Sequence, residues 1–270
     1  MIGPTASTVV EMVGTGLAAG FLGGLVGVGG GVLILPLLVF LLGYPVPKAI
    51  ATNVFSVVWT VTFGAMSHAR IGNVDHETSA VVLAAGAIGA LIGSAIFPLV
   101  MRHTGALRAA LGAAFLFVSI RMLYEWLSRV PDSDVDRVPG SVTSKVLLGF
   151  GTGVLTGVLG LGGGYVMVPS FVYLMGAPVR LAVGTSMIGM IPMVTVSASY
   201  KMAQGLTDVL GGTILGLGTA VGARFGARVT RVVRPWTLKG IFGVVFLYVS
   251  LRFILSGMGI VGLGRVDIFN

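Results

Sequence analysis

Eight apolar stretches, each long enough to cross a lipid bilayer as a helix, take up most of this 270-residue chain. They cover about residues 13–42, 46–67, 79–100, 107–127, 146–175, 179–200, 209–228 and 238–257. A hydrocarbon core of roughly 30 Å takes about 20 apolar residues in helical form. A membrane barrel would show short segments of alternating polarity, whereas these stretches are apolar on every face. Backbone groups in lipid must be paired within their own segment, so helices are the remaining choice. Charged residues make up 10% of the chain, against about a quarter in a soluble domain. That is too few to cover a water-facing surface, and the apolar content excludes disorder. The net charge of +8 is scattered at the ends of apolar runs, which suits charge facing a membrane and not nucleic acid. With no cysteine there is no disulfide framework and no thiolate metal site. The first six residues carry no basic group, which argues against a cleaved signal peptide.

The first and fifth stretches are about 30 residues long, or about 45 Å as continuous helix. Each contains a glycine cluster, Gly27-Val28-Gly29-Gly30-Gly31 and Gly160-Leu161-Gly162-Gly163-Gly164, and a proline further on, Pro36 and Pro169. Each glycine costs a helix roughly 1 kcal/mol relative to alanine, and proline has no amide hydrogen to donate. A break at each cluster is expected.

The clusters belong to a duplication. Sliding the sequence by 133 positions aligns the halves without a gap from about Gly16 to Gly93. Gly43, Pro45, Ala49, Thr52, Gly72 and Asp75 fall on Gly176, Pro178, Ala182, Thr185, Gly205 and Asp208. After a two-residue deletion, Leu107, Arg108, Gly112, Phe115, Ser119 and Arg121 fall on Leu238, Lys239, Gly243, Phe246, Ser250 and Arg252. The expected fold is an all-α integral membrane protein with about eight transmembrane helices in two homologous four-helix repeats. The first helix of each repeat is broken at its Gly-rich motif. Residues 1–127 form the first repeat, 128–144 a polar linker and 145–270 the second repeat.

Duplicated membrane halves with broken helices in corresponding places are the pattern of secondary transporters, which bind substrate near the midplane. A passive anion channel and an accessory membrane subunit are the alternatives. Orientation has two readings. The connections after the third and seventh helices are basic and free of acids, with Arg102 and Arg108 in one and Arg231, Arg234 and Lys239 in the other. If both are cytoplasmic, the halves share one orientation and both termini face outward. If each glycine break is a hairpin, the parity changes and the halves are inverted.

Counting along the chain suggests a site. From Gly31 to Gly43 a helix rises about 18 Å, and the return to Thr52 recovers about 13 Å, which brings Thr52 and Asn53 level with the break. The same count brings Thr185 and Ser186 level with Gly162, Gly163 and Gly164. Helices that begin after Gly29-Gly30-Gly31 and Gly162-Gly163-Gly164 present unpaired amides and positive dipole ends, which suit an anion. The side chains of Thr52, Asn53, Thr185 and Ser186 can add donors. Against this stands close helix packing by glycine, with hydroxyls bonded to the preceding turn.

Arg121 and Arg252 match in the fourth and eighth helices, where they either attract the anion or snorkel to an interface. His68 and Lys201 match at the ends of the second and sixth helices, where they either line an entrance or cap a helix end. Tyr165 either shapes the pocket or packs the core. No enzymatic motif survives inspection. Gly27 to Val32 lacks the last glycine and the strand of a dinucleotide loop. The run from Asp132 has Arg137 and Thr143 where a calcium loop needs Gly and Glu. No cofactor and no metal site is expected.

Along most of its length the chain resembles the sulfite exporter TauE/SafE family. The resemblance rests on Gly27 to Gly31 through Pro36, then Gly43-Tyr44-Pro45, Ala49 and Ala51-Thr52-Asn53. The second copy carries it in Gly160 to Gly164 through Pro169, then Gly176-Ala177-Pro178, Ala182 and Gly184-Thr185-Ser186. Gly72-Asn73-Val74-Asp75 is similar to the family's short connection after the second helix. The resemblance implies a multi-pass permease of the bacterial inner membrane. Its substrates would be small sulfur-containing anions such as sulfite or sulfoacetate, usually moved outward.

Overall fold

The computed structural model describes residues 6–128, 135–229 and 235–260, and the regular secondary structure within them is all helical. The elements are α1 (Ala6–Val26), α2 (Gly31–Phe40), α3 (Val46–Arg70), α4 (His76–Val100), α5 (Thr104–Ser128) and α6 (Val142–Leu159). After them come α7 (Gly164–Pro169), which runs on as a π-helical turn (Ser170–Leu174), then α8 (Val179–Ala203), α9 (Val209–Val229) and α10 (Pro235–Gly257). Six of these, α3, α4, α5, α6, α8 and α9, are long and apolar enough to cross a membrane. Arg231 and Arg234 lie outside the described residues.

Short polar loops set the helix starts. Asp75 caps α4 by accepting from the amides of Glu77 and Thr78 (3.1 and 3.2 Å). Its repeat mate Asp208 accepts from the Gly211 amide (2.9 Å) at the start of α9. Such caps satisfy amides that a helix leaves unpaired. Pro45 and Pro178 precede α3 and α8, where a preset φ costs nothing.

Apolar burial gives little drive between helices in lipid, so association relies on close packing of small residues. Two seams show it. Gly16, Gly20 and Gly24 of α1 lie against the backbone of Leu215, Thr219 and Ala223 of α9, so α1 and α9 run parallel. Gly149, Gly153 and Gly157 of α6 lie against Val82, Gly86 and Ala90 of α4, again parallel. Helices in matched places of the two halves run antiparallel. Along α5 and α10, Gly112 meets Ser250 and Ile254 while Ser119 donates to the Gly243 carbonyl (2.7 Å). Thr52, near the start of α3, meets Asp208 after α8, and Thr185, near the start of α8, meets Asp75 after α3.

At the glycine clusters the chain turns back on itself. Gly23 of α1 lies against Gly30, and Gly30 against the Ala19 carbonyl. Gly29 then faces Val57 and Val61 of α3, and Gly31 faces Val57 and Asn53, so α2 descends beside α3 toward its start. The reversal is possible because Gly27, Gly29 and Gly30 hold φ of 78°, 79° and 71°, a region that costs other residues a Cβ clash. The break is therefore sharper than a kink in one continuous rod.

Candidate functional site

The two reversals meet in the interior. Gly31 lies against the Leu161 carbonyl, and Gly164 against Val28 and the Gly27 carbonyl. Met190 of α8 reaches both Gly29 and Gly164, and Val57 of α3 reaches both Gly29 and Gly162. Gly29, Gly30, Gly31, Gly162, Gly163 and Gly164 are all buried. The first bonds of α2 run from the Leu33 and Ile34 amides to the Gly30 carbonyl (2.9 and 3.1 Å). The amides of Gly31 and Val32 therefore have no place in the helix ladder. At the second break the Val166 and Met167 amides bond Gly163 (3.0 and 3.1 Å), and the Gly164 amide donates to the Gly162 carbonyl (3.0 Å). The first break thus keeps more of its backbone donors.

The four polar side chains named from the sequence are all buried, with different partners. Asn53 points at the breaks, since its Nδ2 donates to the Gly160 carbonyl (2.8 Å) and its Oδ1 finds no partner. Thr52 and Thr185 turn to the loops of the opposite half. Their hydroxyl oxygens accept from the Asp208 and Asp75 amides (3.0 and 2.9 Å). Ser186 donates to the Val183 carbonyl of its own helix (2.8 Å).

His68 and Lys201 are buried completely. The His68 Nε2 lies 3.2 Å from the Gly24 carbonyl in the last turn of α1. Lys201 donates to the Gly157 carbonyl in the last turn of α6 and to the Ser197 hydroxyl (2.9 Å). Gly24 and Gly157 are repeat mates, so one bond is made twice, by two different residues. Arg121 pairs with Glu125 (3.1 Å) and lies over the ring of Tyr173, and Arg252 lies over Phe40 (5.7 Å to the centroid). Phe40 and Tyr173 are themselves repeat mates in the last turns of the two segments that follow the breaks. Each arginine therefore steadies the outer end of such a segment, away from the breaks. A cation there also suits the negative end of a helix dipole.

Three polar residues were not legible as candidates. Thr152 and Thr156 of α6 and Ser197 of α8 are buried, and Gly163 packs against both Thr152 and Thr156. The hydroxyls of Thr152 and Thr60 have no partner, and neither has the phenol of Tyr165. The repeat mates of Thr152, Thr156 and Ser197 are Ala19, Gly23 and Gly64. A search for positions where the copies differ in polarity would have found them. Among the described residues no group of His, Asp and Glu could hold a metal ion.

At the two ends, charged residues of the loops and first helical turns bond one another. Asp75 accepts from the Thr78 hydroxyl (2.7 Å) and the Val138 amide (2.9 Å), while Lys145 donates to Thr78 and the Val138 carbonyl (both 2.7 Å). Burial pushes the Asp75 carboxyl up, but these bonds and the Lys145 charge outweigh it and hold it below the usual carboxylate range. At the other end the Tyr44 phenol donates to Asp208 (2.6 Å).

A family model described as sulfite exporter TauE/SafE matches residues 12–253. The chain is 26% identical to "probable membrane transporter protein YdhB" of Bacillus subtilis, over 82% of this chain and 89% of that protein. It is also 26% identical to "probable membrane transporter protein YunE" of the same organism, over 92% and 98%. A "probable membrane transporter protein" of Xylella fastidiosa is 26% identical over 92% and 95%. No solved structure matches.

Proposed function

Because this chain belongs to the sulfite exporter TauE/SafE family, we propose that it is a secondary transporter that exports small sulfur-containing anions across the bacterial inner membrane. Sulfite, sulfoacetate and related organosulfonates are the substrate class. Residues 1–127 and 145–270 act as two repeats joined by the linker 128–144, and the antiparallel course of matched helices supports their being inverted in the membrane. Counted this way, each half crosses the bilayer by four helices and by one segment made of a glycine break and its short helix.

The single observation that carries the reading is the contact between the two breaks, Gly31 on Leu161 and Gly164 on Gly27. Unwound backbone at depth is tolerated where it lines a site inside protein, and inverted repeats place their site at the repeat interface. The amides at Gly29, Gly30 and Gly31 would bind the anion, with Gly162, Gly163 and Gly164 opposite and Asn53 between them. Thr52, Thr185 and Ser186 act by holding the surrounding helices and loops. An inside-negative potential favours outward movement of an anion by about 2.3 kcal/mol per charge per 100 mV.

The test is counterflow in proteoliposomes with labelled sulfite and sulfoacetate. The expected result is saturable uptake that is stimulated by unlabelled anion inside and is at least tenfold weaker in Asn53→Leu at unchanged melting temperature. Ohmic currents without trans-stimulation would establish the channel instead. No flux of either anion would remove the reading.

A further inference from the structure

Lys201 is a buried amine without a carboxylate. The ion pairs among the described residues are Arg121–Glu125 and Arg137–Glu77, and neither involves it. Its Nζ bonds the Gly157 carbonyl and the Ser197 hydroxyl and sits 4.5 Å from the centroid of the Phe97 ring. The packed elements offer little countercharge. α4 has no titratable residue between Glu77 and its end, where Arg102 and His103 are exposed, and α6 has none after Lys145. Along α3 there is none between Lys48 and His68, while α7 and the turn after it bring only Tyr165 and Tyr173. On α8 itself are Arg180 and Tyr200. Asp208, seven residues on, is engaged by the Tyr44 phenol and the Gly211 amide.

A helix cap alone does not call for lysine here. In the other half His68 makes the same bond to Gly24, and a neutral imidazole suffices for it. The two bonds of Lys201 are also within the reach of a neutral amine, which has two N–H groups. The polar residues near it lead inward. Ser197 lies 3.5 Å from the Thr156 carbonyl, and Thr156 packs on Gly163 of the second break beside the unpartnered Thr152 hydroxyl.

We propose that Lys201 supplies the counter-charge for the transported anion, and that each anion bound is accompanied by uptake of one proton onto this amine. The proposal rests on the anion-transport reading above. The step balances as Lys–NH2, one proton from bulk water and one anion giving the ammonium–anion pair, with no other bond broken. A buried charge is costly unless it is paired, and an opposite charge nearby favours the charged form of a base. Binding and protonation therefore reinforce each other. The third N–H gained on protonation is the donor that the anion receives, with Ser197, Thr156 and Thr152 lining the approach on this half only.

The test is sulfoacetate binding to the purified protein in detergent, with released or absorbed protons read by calorimetry in two buffers of different ionisation enthalpy. The sulfonate and carboxylate of this probe stay ionised from pH 6 to 9, so an absorbed proton belongs to the protein. The expected result for the unaltered chain is uptake of close to one proton per anion, with affinity falling about tenfold per pH unit at high pH. Lys201→Met is expected to lose at least tenfold in affinity together with the proton uptake. Lys201→Arg, which keeps a permanent charge, is expected to bind without proton uptake and with a flat pH profile. If Lys201→Met does not fold, the arginine variant decides. Binding by the unaltered chain without proton uptake, or uptake that survives in Lys201→Arg, overturns this proposal and leaves anion transport standing. Absence of binding of sulfoacetate and of sulfite to the unaltered chain removes the anion reading itself, and this inference with it.

Discussion

Tyr44 and Asp208 show how one residue pair can join distant parts of the chain at one end of the molecule. The phenol donates at 2.6 Å to a carboxylate that also accepts from the Gly211 amide, and the Asp208 amide in turn donates to Thr52. Burial pushes the Asp208 carboxyl up, yet the Tyr44 and backbone bonds and the Lys48 charge outweigh it and leave it below its ordinary value. Burial, with the Asp208 contact added to it, pushes the Tyr44 phenol above its ordinary range. A carboxyl depressed in the folded state contributes stability above its unfolded value of about 3.9, and loses it as pH falls through the folded value. In Tyr44→Phe the Asp208 carboxyl rises toward its ordinary value. The expected outcome is a loss of about 1.5–3 kcal/mol near neutral pH, the typical worth of a hydrogen bond to a charged group. Melting temperature followed against pH in detergent should then show a shallower acid limb in the variant, the gap between the two proteins at neutral pH closing as pH falls through the carboxylate range. Coincident acid limbs in the two proteins would show that the phenol does not act on Asp208.

At the scale of elements, the glycine clusters and prolines made the break legible, because no other reading of four glycines in five positions suits a helix. The direction of the chain after the break was not legible. A kink and a reversal call for the same residues, and the choice lies in contacts distant in sequence, Gly31 on Leu161 and α2 along α3. The side-chain part of the site was read only in part. Level along the axis follows from counting, and Asn53 does lie beside a break, with its Nδ2 on the Gly160 carbonyl. Which way a hydroxyl turns depends on a neighbour from the other half, and that neighbour drew Thr52 and Thr185 to the loops. If the contact between the breaks is what shapes the site, glycines should differ sharply in tolerance. Gly164→Ala sets a Cβ against the Gly27 carbonyl and 3.0 Å from the Val28 Cα, which neither backbone can yield cheaply. It is expected to destabilise by about 1–3 kcal/mol, as overpacking does, and to abolish counterflow. Gly151→Ala, with nothing within 4 Å of the new methyl, is expected to stabilise by about 0.4–1 kcal/mol and leave flux unchanged. Thermal melts and counterflow on the two variants check this, and equal behaviour would detach function from the contact.

For the whole molecule, helix direction decides how charge is distributed across the membrane. The contacts put the loop before α4, the linker before α6 and the end of α9 at one face, since Asp75 bonds Val138 and Thr185, and Gly24 of α1 lies against Ala223 of α9 and bonds His68 near the end of α3. Arg70, Arg137, Lys145, Arg180, Arg224 and Arg228 belong to that face, while Lys48, Arg102 and Arg108 belong to the opposite one. The basic connections after α4 and α9, which a parallel arrangement would set on one side, fall on opposite sides when the halves are inverted. An excess of Lys and Arg marks the cytoplasmic side, so the loop before α4 should face the cytoplasm and its repeat mate before α9 the exterior. The chain has no cysteine, which leaves no background for thiol labelling. His76 and Val209 are repeat mates at the first positions of α4 and α9, and both are exposed. With a membrane-impermeant maleimide, His76→Cys is expected to react in inside-out vesicles and Val209→Cys in right-side-out ones. Reaction of both from one side would overturn the inversion, and with it the symmetry argument for a site between the breaks. Exchange of the two sides would keep the inversion and reverse only its placement in the membrane.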